Sequence, residues 1–201
     1  MAKGKLDKSF VYKRFRRDLV DRYGAEKAAA IWADANAGLQ ELMATHPDAE
    51  KNDLSFVFPA VAIYRSIEQH APGEALEVTR AYGTKTGLRF RDIFRKVTAL
   101  PGFPALMWKK MPTIAKKMSD GYEFEDLVVT DHRCSLNVTG CPMYDGAKAL
   151  GCPEAAQLIC CMDKEYMTGF RGVRYTRTKS LAEGDDCCDY LLEDSRIKEV
   201  K

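Results

Sequence analysis

Hydrophobic positions in the first 120 residues recur at helical spacing. Between Lys8 and Arg22, Phe10, Phe15 and Leu19 lie on one side of a short charged helix. Over Ala25 to Thr45, Ile31, Trp32, Ala35, Leu39, Leu42 and Met43 form one stripe, closed by His46-Pro47. Asn52-Asp53 offers a cap to the next helix, where Phe56, Val57, Phe58, Val61, Tyr64 and Ile67 are dense enough to require burial. Pro72-Gly73-Glu74 interrupts the chain, and a long helix follows from Glu74 to about Lys96, with Gly83 and Gly87 as points of close packing or a kink. Leu100 to Met118 is amphipathic and basic. Its Phe103, Met107, Met111 and Ile114 suit core packing, the lining of an apolar pocket, or a membrane surface.

After Ser119-Asp120-Gly121 the period shifts toward two. Tyr122, Phe124, Leu127, Val128 and Val129, then Cys134, Leu136 and Val138, predict two short strands or one bent strand. Cys141-Pro142 opens a helix that ends at Leu150-Gly151, and Pro153-Glu154 opens a second carrying Ala155, Leu158, Ile159, Met162 and Tyr166. Val173 to Thr178 alternates like a strand, Ala182 to Asp186 is a turn in which Gly184 adopts positive φ, and Cys188 to Leu192 is a closing strand. The predicted fold is α+β: an N-terminal helical bundle over 1–120, then a small antiparallel sheet with two cysteine-bearing helices over 121–201, the two together forming one compact unit.

Charge and cysteine content sharpen this picture. Residues 1–120 carry 21 Lys and Arg against 14 Asp and Glu, and residues 121–201 carry 10 against 15. A basic half docked on an acidic half accounts for that asymmetry, and the run Lys13-Arg14-Phe15-Arg16-Arg17 reads as a solvated helix face rather than a nucleic-acid surface. The stretch Met1 to Lys8 lacks the apolar segment of a secretory signal, and no span approaches the ~20 apolar residues of a membrane helix, so a cytoplasmic protein without integral membrane association is expected. No glycine-rich phosphate loop is present. All seven cysteines (Cys134, Cys141, Cys152, Cys160, Cys161, Cys187 and Cys188) fall between Asp131 and Tyr190. An odd number in a reducing compartment predicts thiols rather than a disulfide framework.

Cys141 stands near a helix N-terminus, where unpaired N–H groups stabilise a thiolate. Cys160 and Asp163 share a helix face. These features, together with Ala149-Leu150-Gly151-Cys152-Pro153-Glu154, Cys160-Cys161-Met162-Asp163 and the long run from Arg177-Thr178-Lys179-Ser180 through Gly184-Asp185-Asp186-Cys187-Cys188-Asp189-Tyr190, resemble the L-2-amino-thiazoline-4-carboxylic acid hydrolase family over roughly residues 125–192. The chain departs from the family pattern at Ser180, usually threonine, and at Tyr190, usually phenylalanine. Cys134, Cys152, Cys161 and Cys187 are additional.

The resemblance implies hydrolytic opening of a small cyclic isothiourea or amidine at a carbon–nitrogen or carbon–sulfur bond, yielding a carbamoyl-cysteine from 2-amino-thiazoline-4-carboxylate. Cys141, Cys160, Asp163, Cys188 and Asp189 are the expected catalytic group. Arg177 would grip a substrate carboxylate, or is a surface arginine of its strand, and Thr178 and Asp185 would position it or cap the turn. Two mechanisms compete: a thiolate of Cys141 or Cys188 attacks directly, or Cys141, Cys160 and Cys188 hold a divalent zinc, iron or manganese whose water attacks. Buried thiols acting as small hydrophobes are the plain reading of the same cysteines, and His132 is an outlying general base or fourth ligand. The alternative from another class is a non-catalytic thiol module that binds a soft metal or senses redox state through Cys160-Cys161 and Cys187-Cys188. The expected partner is a small-molecule substrate, and a homo-oligomer is compatible with the sequence.

Overall fold

The computed structural model describes residues 5–118 and 121–197, with Met118 described by its backbone alone. The first four residues of the stretch read for a leader, and the Ser119-Asp120 part of the predicted break, lie outside the described residues. The chain is α+β and forms two compact units: Met1–Thr86 with Met143–Ile159, and Gly87–Pro142 with Cys160–Lys201.

The first unit is helical. It contains α1 (Lys5–Lys8), α2 (Phe15–Tyr23), α3 (Ala25–Thr45), α4 (Phe58–His70) and the opening turns of α5 (Ala75–Val97). The predicted helix from Lys8 starts only at Phe15, because Tyr12 turns inward. Its N–H bonds the Ser9 hydroxyl at 3.2 Å and its own hydroxyl donates to the Phe56 carbonyl at 2.9 Å. Phe10, expected on the apolar side, is 70% exposed. A π-helical turn at Asp53–Val57 precedes α4. Pro59 lacks the N–H that would close an ordinary turn, and its ring crowds the carbonyl four residues back. Lys13, Arg14, Arg16 and Arg17 are exposed while Phe15 is buried and stacks on Tyr82 at 4.0 Å. His46 closes α3 by its bond to the Leu42 carbonyl, and His70 pairs with Asp34.

The second unit begins within α5 and continues through α6 (Phe103–Lys109) and α7 (Met111–Met118). The amphipathic stretch Leu100 to Met118 divides at Lys110, since Pro112 cannot continue the hydrogen-bond ladder. Strands β1 (Glu123–Val129), β2 (Arg133–Gly140), β3 (Val173–Thr176) and β4 (Cys188–Asp194) form an antiparallel sheet in the order β1-β2-β4-β3. Helix α8 (Pro142–Ala149) follows β2, and α9 (Ala156–Tyr166) supplies Cys160–Tyr166 to this unit. The core gathers Trp108, Met111, Cys134, Met167, Val173 and Leu192.

Strand register fixes which residues share a face. Cys134 pairs with Leu192, Leu136 with Tyr190, Val138 with Cys188, and Tyr175 with Leu192. Side chains alternate, so Cys188, Tyr190 and Leu192 point to one face and Asp189 to the other.

Close backbone approach holds α9 against α5. A Cβ built on Gly87 would lie 2.4 Å from the Met162 carbonyl oxygen and 2.7 Å from the Glu165 Cβ. Gly87→Ala is therefore expected to destabilise the protein by about 1–3 kcal/mol through overpacking. That is a fall in melting temperature of roughly 2–12 °C for a chain of this size. An unchanged melting temperature would contradict the packing described.

Candidate active site

Asp163, near the end of α9, is the centre of a buried polar cluster. The Tyr190 hydroxyl donates to its Oδ2 at 3.0 Å and Arg177 Nη1 reaches the same oxygen at 3.4 Å. Nη1 also donates to the Tyr190 hydroxyl at 3.2 Å, and Nη2 donates to the Cys160 carbonyl at 3.1 Å. The Arg177 side chain is 5% exposed and that of Asp163 20%. Burial would lower the Arg177 pKa, but Tyr175, Tyr190 and Asp163 outweigh it and hold the guanidinium charged. Tyr166 stands beside Asp163. Burial, with Asp163 reinforcing it, pushes the hydroxyls of Tyr190, Tyr166 and Tyr175 well above their usual range.

The run from Arg177 to Tyr190 is a self-clamped loop. Asp189, on the opposite strand face from Tyr190, accepts the Thr178 hydroxyl at 2.6 Å and the backbone N–H groups of Thr178 and Lys179 at 2.8 and 2.5 Å. Burial raises its pKa, but these donors prevail and the carboxyl titrates below its usual range. Asp185 accepts the Ser180 N–H at 2.7 Å, and Gly184 takes the left-handed conformation at φ 97° that the sequence requires of it. The loop delivers the Leu181 N–H to Cys188 Sγ at 3.4 Å. Thr178, Asp185 and Asp189 thus hold the loop, while Arg177 and Cys188 face inward from it.

None of the seven cysteines forms a disulfide. Cys160 is an electrostatic neighbour of Cys141, Cys188 and Asp163, and all four act on Tyr122. Burial pushes the Cys160 thiol far above the usual thiol range; Cys141 adds to the shift and Arg177 opposes it. Burial also raises Cys188, against the Leu181 N–H, Arg177 and Ser180, all of which favour its thiolate. Tyr122 is pushed up to about 12, mainly by burial and next by the neighbouring Cys141. Cys134, Cys152 and Cys187 are buried, and Cys152 lies in the first unit. His132 sits in the β1–β2 turn, beside Asp194. Among the described residues, no group of three or more His, Cys, Asp and Glu side chains is placed to hold a metal ion.

Asp163 opens onto a cavity of about 390 Å³ within the second unit. Helices α6 and α7 contribute Phe103, Met107, Met111 and Ile114, the sheet contributes Leu136, Val138, Tyr190 and Leu192, and Tyr122, Tyr166 and Phe170 complete the aromatic wall. The apolar side of Leu100 to Met118 therefore lines a pocket, one of the roles its pattern allows. The tyrosines around Asp163 carry no motif of their own. Only Tyr190 was flagged in the sequence, as the hydroxyl-bearing departure from phenylalanine.

These raised thiols and phenols tie stability to pH. Their folded pKa values exceed the unfolded ones, so their contribution is fully present below about pH 8.5 for thiols and about 10 for phenols, and is lost as pH rises past those values. The denaturant midpoint is expected to hold from neutrality to about pH 8.5 and to fall steadily above it. A midpoint unchanged to about pH 10.5 would contradict the burial of these groups.

Fold and site together define an α+β protein with reduced thiols beside a carboxylate-bearing apolar cavity. The family model for L-2-amino-thiazoline-4-carboxylic acid hydrolase matches residues 51–192, and the chain belongs to that family. The match reaches back through α4–α7, beyond the run that carries the motif resemblance. No curated protein matches the chain. Solved structures with similarity include an H-NOX protein from S. oneidensis in the Fe(II)NO ligation state, at 14% identity over 91% of this chain and 96% of that one, with a TM-score of 0.36. A second, described as probing the function of heme distortion in the H-NOX family, shows 13% identity over 96% and 98%, with a TM-score of 0.35. Likeness at this level assigns neither fold nor ligand. Among the described residues no helix is long and apolar enough to cross a membrane.

Proposed function

We propose that the chain is a hydrolase that opens small cyclic isothioureas or amidines at their amidine-type carbon. The observation that supports this reading most is a carboxylate, Asp163, placed in the wall of an apolar cavity and held there by Arg177 and Tyr190, in a family named for this ring opening. A protonated amidine presents N–H donors that a carboxylate can accept, so Asp163 orients the ring.

In this reading Cys188 is the nucleophile and Asp163 carries the protons. The Cys188 sulfur bonds to the ring carbon while its proton passes to Asp163. The bond from that carbon to one ring heteroatom breaks, and the heteroatom leaves with the proton from Asp163. Water then adds to the same carbon, giving one proton to Asp163; the carbon–sulfur bond to Cys188 breaks, the thiol takes that proton back, and the hydroxyl's remaining proton passes to the amidine nitrogen as the carbonyl forms. One water is consumed, and the product is a carbamoyl compound. The Leu181 N–H and Arg177 favour the attacking thiolate. Asp189 and Thr178 act as positioning residues.

Incubation with 2-amino-thiazolines in ¹⁸O-water tests the reading. Ring absorbance should disappear and one ¹⁸O should enter a carbamoyl product; no opening of any such ring would overturn the assignment. The raised Cys188 thiol also sets a sign: kcat/KM should climb from about pH 7 to about pH 9 as the thiolate fraction grows. A profile flat over that interval would remove Cys188 as nucleophile.

A further inference from the structure

We infer that the substrate of this site is a cyclic amidine or isothiourea cation with an apolar body, an alkyl or aryl group standing where the family's namesake compound carries its carboxylate. This inference rests on the hydrolase reading above and names its substrate class.

A carboxylate needs a cationic partner when it leaves water, because burying an unpaired charge costs far more than any apolar contact returns. Among the described residues lining the cavity there is no lysine, arginine or histidine. The one formal charge in the wall is negative, Asp163, and a second carboxylate beside it would meet repulsion in a medium of low dielectric. Arg177 is the residue expected from sequence to grip the acid. Its guanidinium is engaged by Asp163, the Tyr190 hydroxyl and the Cys160 carbonyl, with the side chain 5% exposed. Turning it toward a substrate acid would strand Asp163.

The same wall suits an amidinium. A carboxylate has about four acceptor sites, and Arg177 and Tyr190 share one oxygen of Asp163, which leaves capacity for a donor from a ligand. Phe103, Tyr122, Tyr166 and Phe170 add ring faces that attract a cation. Beyond them Met107, Met111 and Met167 supply flexible, polarisable surface that adapts to varied apolar shapes. At about 390 Å³ the cavity falls within the range of roughly 300–1,000 Å³ that encloses small organic ligands.

The test uses the full chain without substitutions. Benzamidine, benzamide and benzoate are titrated by calorimetry, with amide hydrogen exchange over residues 103–115, which supply one wall of the cavity, followed by mass spectrometry. In parallel, kcat/KM is measured for 4-benzyl-2-aminothiazoline and for 2-amino-thiazoline-4-carboxylate. Benzamidine should bind at least about tenfold tighter than benzamide, benzoate should show no binding, and benzamidine should slow exchange over residues 103–115; the benzyl ring should be opened at least about tenfold more efficiently than the carboxylate. Preference for the carboxylate, or equal efficiency, overturns the inference and leaves the hydrolase reading standing. Benzamidine bound with this wall protected but neither ring opened keeps the ligand class and removes the hydrolase reading. Failure of binding, or binding without protection of this wall, overturns the inference.

Discussion

Arg177→Met is expected to destabilise the protein by about 3–5 kcal/mol, the cost of leaving one member of a buried ion pair without its partner. For a chain of this size that corresponds to a melting temperature lower by roughly 6–20 °C. The magnitude follows from the placement of the pair: a guanidinium 5% exposed against a carboxylate 20% exposed, with the Tyr190 hydroxyl and the Cys160 carbonyl accepting the guanidinium's other hydrogen bonds. Methionine fills much of the volume but satisfies neither Asp163 nor the carbonyl. Arg177→Lys keeps the charge and loses the planar fork, so it should recover only part of the loss. Denaturant unfolding of the three proteins at neutral pH provides the measurement. A cost below about 1 kcal/mol for Arg177→Met would place the pair with surface ion pairs and remove its role as the frame of the site.

The second large effect concerns Cys188. Cys188→Ala should lower kcat for ring opening by about a thousandfold or more, since a nucleophile removed from a group that acts as a unit takes most of the acceleration with it. Cys187→Ala, one residue away, should change kcat by less than about tenfold, because that thiol is buried outside the Asp163 cluster, beside Lys179 and Asp186. Cys160→Ala separates the thiol's chemistry from its packing: Cys160 serves the site through its backbone carbonyl, which the substitution retains. Equal losses at Cys187 and Cys188 would indicate that both act through the fold rather than through chemistry.

Much of this arrangement was legible in the sequence, and the losses are specific. The α+β class, the two helices after β2 and the closing strand follow from the change of hydrophobic period after residue 121 and from the Pro and Gly punctuation; of the cysteines expected on both helices, only Cys160 and Cys161 lie within one, α9, while Cys141 and Cys152 fall just outside α8. Alternation also held information about the two aspartates. Asp189 is one residue out of phase with Cys188 and Tyr190, so it belongs to the other strand face, where it clamps Thr178 and Lys179. The sequence offers Arg177 a substrate acid as its partner; in the fold its guanidinium reaches Asp163, 14 residues back on α9, and no local pattern links a strand end to a helix face. The tyrosines around Asp163 come from β3, β4, α9 and the chain before β1, so only the tertiary fold assembles them. The break between α6 and α7 follows from Pro112, a helix breaker visible in the sequence.

The central claim is that Asp163, in the wall of the apolar cavity, orients the ring and carries the protons of its opening. The most direct test is turnover of 2-amino-thiazolines by Asp163→Asn, measured at a temperature where its circular dichroism matches that of the unsubstituted protein. A loss of about 10²–10⁴ in kcat/KM with the fold retained is the predicted result. Unchanged turnover by a folded Asp163→Asn protein would contradict it and place the chemistry elsewhere in the chain.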